Sequence, residues 1–295
     1  MNICWKKWLH QKIQWIPTFS LFLFLYPIGW FASHFFYFFN SEISSNTLSI
    51  IGTLITFSLF LIILPSWGRN RWNTKKVWSF IGLDFKHKFN FLKIFFNGFI
   101  LSFFLLLIFF LILLIFGWVD SFGYITFGTL LNSILLIVGI VFVEEIVFRG
   151  WLMEEMVLIF GIKRGIVFQS AIFSLVHFRS DIGFIALIPF LIGLFLFGLV
   201  LTFRRMSDQG SLFGCIGIHG GLVGIWYLFD SGMVIFSVDT PYYFLGPSKY
   251  MVNPIGSVIG ITILLIIIFF QRRLFSRTGR FLASTFNASF KEETP

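Results

Sequence analysis

The chain has 295 residues, 57% hydrophobic and only 12% charged, with a mean hydropathy of +0.90. A soluble domain carries about 25% charged residues, so this composition cannot cover a water-facing surface, and its hydrophobicity equally excludes disorder. Lys and Arg number 22 against 13 Asp and Glu, a net charge of +9; these cations sit between apolar segments, so they read as topology signals and not as a nucleic-acid surface.

Taken in chain order, Lys6, Lys7 and Lys12 precede an apolar run over residues 17–39. A cleavable signal segment has an apolar stretch of about 7–15 residues, so the longer run predicts a retained first span. Further apolar segments predict spans at 47–66, 94–117, 131–160, 165–178, 182–203, 211–229 and 254–271. The expected fold is all-α, a single polytopic transmembrane bundle of about eight spans. Within it, residues 1–130 supply the N-terminal spans, 131–229 a polar-bearing core, and 230–295 a last outer loop, a final span and a basic tail.

The loops support this count. Arg69, Arg71, Lys75, Lys76, Lys86, Lys88 and Lys93 follow the second span, Lys163 and Arg164 the fourth, and Arg204 and Arg205 the sixth. Arg272, Arg273, Arg277, Arg280 and Lys291 follow the last, while the opposite loops hold only Arg179 and Lys249. This alternation predicts both termini in the cytoplasm. The stretch 77–93 mixes aromatic residues with lysines and reads equally as an interfacial segment or a plain loop. The apolar loop 230–253 is expected to fold back over the outer face. Two cysteines, Cys4 and Cys215, cannot form a disulfide framework; Cys215 reads as a small packing residue.

Charges inside spans are costly and mark function by default. In the fourth predicted span, Glu145 and Arg149 stand at i,i+4 and can pair on one helix face, while Glu144 is turned about 100° away and lacks that partner. In the fifth, Phe173 and His177 share a face. In the seventh, His219 is followed by Gly220 and Gly221, which allow close helix approach. Taking Gly161 to Gly165 as a tight hairpin, Glu144 lies about 24 Å and His177 about 20 Å from it at 1.5 Å per residue, so antiparallel neighbours bring the two to similar depth. His219 is shallower, by an amount that helix tilt absorbs. A carboxylate and two histidines converging away from water suit activation of a water for attack on a carbonyl, with the second histidine donating to the oxyanion. Two histidines and a carboxylate could alternatively bind zinc. The sequence lacks H-E-x-x-H and a G-x-S-x-G elbow, and the metal-free glutamate site is the preferred reading. Intramembrane Glu and His also serve proton-coupled transport, but no inverted repeat is visible.

Glu144-Glu145 with Arg149, then Phe173 with His177, then His219 in a later span resembles the CPBP family, the CAAX-protease and bacteriocin-processing membrane proteins also called Abi, which include the Ras-converting CAAX endopeptidases. The resemblance covers residues 134–229. It implies an intramembrane endopeptidase acting on a membrane-associated protein or peptide, lipidated ones among them; no cofactor is expected, zinc being the less favoured alternative, no nucleic-acid partner is expected, and the expected residence is the plasma (inner) membrane. Glu144 and His177 would activate the water, Glu145 and Arg149 would support the site, Phe173 would pack against it, and His219 would help form the oxyanion hole. Val223 departs from the pattern, standing where the family often has asparagine. Valine cannot donate a hydrogen bond, so the alternative is a proteolytically weak or inactive member acting as an immunity or scaffold protein.

Overall fold

The computed structural model describes residues 2–39, 42–84, 90–248 and 252–271. These form two compact units, one up to Phe80 and one from Ile81 on. Lys86, Lys88, Lys249 and the basic residues from Arg272 onward lie outside the described residues.

The first unit holds α1 (Asn2–Leu9), α2 (Trp15–Phe35), α3 (Ser45–Arg71) and α4 (Val77–Phe80). Helix α3 begins where the Ser44 side chain accepts the Thr47 amide, 3.2 Å, which satisfies one of the first-turn donors. Small residues let α2 and α3 touch: a Cβ on Gly29 would lie 2.6 Å from the Gly52 carbonyl oxygen. Trp5 and Trp8 stack at 5.1 Å, and both meet Trp67 of α3 edge-on. Arg71 is buried, not a loop cation; its guanidinium donates to the carbonyls of Leu9 and Gln14 and so fixes the connection between α1 and α2.

The second unit begins with α5 (Asn90–Ile115), β1 (Val119–Phe122), α6 (Phe127–Phe160) and α7 (Ile162–Leu175). It continues through α8 (Phe184–Ser207), α9 (Phe213–Leu228), β2 (Val234–Phe236), α10 (Tyr242–Leu245) and α11 (Val258–Gln271). Every predicted span is a helix. Six helices among the described residues are long and apolar enough to cross a membrane: α2, α3, α5, α6, α8 and the helix beginning at Phe213. The chain is therefore a multi-pass integral membrane protein. The count of about eight is not reached on these criteria, because α7 has 14 residues, about 21 Å at 1.5 Å per residue, and α11 is likewise short.

The all-α expectation needs one correction. β1 and β2 pair antiparallel, Val119 opposite Phe236 and Phe122 opposite Val234. The loop after α9 does fold back, and it covers one end of the bundle. There Leu245 and Ile259 close over Phe109 and Leu113, with Trp118 stacked on Phe244 at 4.6 Å.

Packing around α9 sets up the rest. Its glycines face α5 so closely that a Cβ on Gly217 would run into the Phe95 carbonyl and one on Gly221 into the Ser102 hydroxyl. Helices α6 and α7 form the predicted hairpin. Gly161 turns with φ 76°, a conformation that favours glycine, and a Cβ on Gly165 would lie 2.6 Å from the Val157 nitrogen. Lys163 and Arg164 are exposed in the first turn of α7.

Candidate active site

Three helices bring the predicted residues together. Helix α6 departs from α geometry twice, with π-helical turns at Leu136–Ile140 and Ile146–Leu152; such turns are rare and frequent at functional sites. Glu144 and Glu145 lie between the two. As the i,i+4 spacing requires, Arg149 Nη1 donates to Glu145 Oε1 at 2.9 Å, and neither side chain is exposed at all. The Arg149 guanidinium lies 3.9 Å above the centre of the Phe173 ring, a cation–π contact that gives the charge a partner where water is excluded. Among the described residues, Arg149 Nε and Nη2 and Glu145 Oε2 have no hydrogen-bond partner, so the aromatic face is what neighbours the guanidinium on that side.

His177 sits just beyond the last turn of α7. Its own amide donates to Ser174 O at 3.1 Å, which leaves the Phe173 carbonyl to receive His177 Nδ1 at 2.7 Å. A carbonyl only accepts, so Nδ1 carries the proton and Nε2 is turned outward. Nε2 lies 3.8 Å from Glu144 Oε2.

His219, on α9, is held from its other side. Its Nδ1 donates to Glu145 Oε1 at 2.7 Å, and its Nε2 lies 3.8 Å from the same Glu144 oxygen. Phe197 of α8 packs edge-on against its ring at 5.2 Å, and Phe173 does so at 6.1 Å. Glu144 therefore faces two imidazoles and is not an unpartnered carboxylate. Glu145 is an acceptor shared by Arg149 and His219. Glu144 and His177 are 24% and 29% exposed, while Glu145 and Arg149 are sealed: the edge that Glu144 and His177 share is open and the pair behind it is closed.

Sequence reasoning misses three contributors. Phe197 reads as bulk in an apolar span. Glu154 is a carboxylate inside the same apolar run as Glu144, so the cost of charge in a span points to it. Arg205 reads as a loop cation by position, yet it is buried and pairs with Glu154 at 2.8 Å. Cys215 is a packing residue, as read: buried, its thiol reaches the Leu201 carbonyl at 3.1 Å. Outside the spans, the Arg179 guanidinium beside Asp181 holds that carboxyl below its ordinary range.

An apolar cavity of about 250 Å³ opens against Phe197, the residue that packs on the His219 ring, and is lined also by Leu106, Phe109, Val223, Trp226 and Leu264 among others. Val223 is part of its wall. No group of three or more His, Cys, Asp or Glu among the described residues has the geometry to hold a metal ion.

Residues 126–225 match the family model described as type II CAAX prenyl endopeptidase Rce1-like. Residues 5–76 match a model described as a domain of unknown function (DUF8676). No curated protein and no solved structure matches the chain. The matched segment opens at Thr126, whose hydroxyl caps α6 by accepting the Thr129 amide, and it contains Glu144, His177 and His219. The segment similar to the type II CAAX prenyl endopeptidase Rce1-like model, residues 126–225, is thus the same one whose motifs resemble the CPBP family.

Proposed function

We propose that residues 131–229 are the catalytic core of an intramembrane endopeptidase that hydrolyses a peptide bond in a membrane-associated protein or peptide, lipidated ones among them. The observation that carries this reading is the position of Glu144 Oε2, 3.8 Å from Nε2 of both His177 and His219. That spacing is too long for direct hydrogen bonds and suits one bridging water. In the proposed reaction the water donates one proton to the Glu144 carboxylate and its second O–H to His177 Nε2, and its oxygen attacks the scissile carbonyl carbon. His219, when protonated, donates from Nε2 to the oxyanion. The tetrahedral intermediate collapses as Glu144 returns its proton to the departing amide nitrogen and the C–N bond breaks. The apolar cavity walled by Phe197 and Val223 takes an apolar part of the substrate, and the site works without a bound metal.

The finer topology belongs to the same proposal: α7 and α11 join the six longer helices as spans, both termini are cytoplasmic, and the protein resides in the plasma (inner) membrane. The test is cleavage of a fluorogenic peptide with a prenylated CAAX end by the purified chain in liposomes. Glu144→Ala and His177→Ala abolish cleavage and leave expression intact. Full activity in either variant removes the mechanism.

Val223 favours a second reading. Valine gives no donor at the position where the family's asparagine would, so the chain could serve as a weakly proteolytic or inactive immunity or scaffold protein. A cellular phenotype that survives Glu144→Gln supports this reading; its loss with retained expression counts against it.

A further inference from the structure

We infer that Arg205 is a positioning residue for this site, holding the π-helical turn of α6 that carries Arg149. The inference rests on the peptidase reading for its kinetic consequence and on geometry for the rest. Arg205 stands at the end of α8 and is buried. Its guanidinium engages two separate segments, the turn after α8 and the stretch of α6 from Arg149 to Glu154. Nε donates to the Gly210 carbonyl at 3.1 Å, Nη2 pairs with Glu154 Oε1 at 2.8 Å, and Nη1 donates to the main-chain carbonyl of Arg149 and approaches Met153 Sδ at 3.4 Å.

The Arg149 contact gives this pattern its meaning. Residues Ile146–Leu152 are π-helical, and the Met153 amide donates five residues back to the Phe148 carbonyl. A π turn gives up the regular i→i−4 ladder that fixes an α-helix in place, so its shape depends on outside anchors. Arg205 anchors its centre from a neighbouring helix. The side chain of that same Arg149 grips Glu145, which in turn holds His219 Nδ1. A relay of direct contacts thus runs from Arg205 through the Arg149 backbone and side chain to Glu145 and the His219 ring. The planar fork is needed for this, since it presents donors in three directions at once, whereas a lysine ammonium is a compact point charge on a flexible stem.

A simple buried ion pair is the competing explanation, and the two differ in what restores function. If Arg205 only neutralises Glu154, then Arg205→Lys, which keeps the charge, and Arg205→Met with Glu154→Met, which removes both charges, each recover wild-type behaviour. If Arg205 positions the π turn, both variants lose the Arg149 carbonyl contact. Each then lowers kcat on the prenylated CAAX peptide by about ten- to a hundred-fold with KM within two-fold, since small misplacements of a site cost rates of that order. Thermal unfolding in detergent reports which variants are folded, and either folded variant suffices.

A readout that needs no turnover is taken in parallel. The histidine ring NMR signals of the full-length protein in detergent are recorded, with His219→Asn assigning the His219 signal. We expect that signal to move in both variants. Wild-type kcat in either folded variant, or an unmoved His219 signal in both, overturns the inference. A wild-type protein that fails to cleave the peptide while the His219 signal moves in the variants removes the peptidase reading and leaves the positioning role standing.

Discussion

Glu144 and Glu145 are adjacent in sequence but differ in surroundings. Glu145 is sealed, tied to Arg149 and His219; Glu144 is a quarter exposed and faces two imidazoles across gaps of 3.8 Å. The two should therefore fail differently when changed. Removing Arg149 strands a buried carboxylate, and Arg149→Met lowers stability by about 3–5 kcal/mol, read as thermal unfolding in detergent. Glu144→Gln, at the partly open edge, leaves the unfolding temperature within a few degrees while removing turnover. Loss of fold in Glu144→Gln, or an unchanged midpoint in Arg149→Met, would show that the division between reacting edge and buried support is wrong. His219→Asn should lower kcat more than it raises KM, because a donor to the oxyanion acts in the transition state.

At the scale of elements, the sequence carried the helices and the pairing of residues between them, and lost the irregular parts. Periodic spacing placed Glu145 with Arg149, and the Gly161–Gly165 hairpin put Glu144 and His177 at one depth; their 3.8 Å separation follows from that hairpin. The π turns of α6 were not legible, since nothing in Ile146–Leu152 distinguishes a five-residue from a four-residue ladder before neighbouring helices are in place. The same holds for Arg205, whose burial depends on the turn after α8 folding back so that the Gly210 carbonyl meets it. The short β1–β2 pair was hidden because three or four residues in a loop leave no alternation to read. Close approach at α9 was legible from its glycines, and it predicts that Gly217→Leu overpacks against the Phe95 carbonyl, costing about 1–3 kcal/mol in thermal unfolding and lowering activity without touching a reacting group. A Gly217→Leu protein as stable as wild type would show that α5 and α9 do not touch as described.

At the scale of the whole molecule, charge and apolar length are the signals that support the proposed topology. Lys163 and Arg164 lie exposed at the hairpin tip, and Arg179, on the opposite side of α7, is paired with Asp181 at 2.7 Å. Across α7 the net positive charge therefore falls on the hairpin side. Single cysteines introduced at Lys163 and at Asp181 into a chain with Cys4 and Cys215 replaced should label from opposite faces of the membrane, position 163 from the cytoplasm. Labelling from one face would remove α7 as a span and with it the proposed placement of the termini. Metal dependence separates two chemistries on the same three side chains. With the metal-free site proposed, stripping the protein with a chelator leaves the cleavage rate unchanged, whereas a lost rate restored by zinc would assign Glu144, His177 and His219 to a metal. The most direct test of the whole is the cleavage rate of the prenylated peptide in liposomes by wild type and by Glu144→Gln: the site as described predicts a fall of about 10²–10⁴-fold in a protein that still folds, and a Glu144→Gln rate within two-fold of wild type would contradict it.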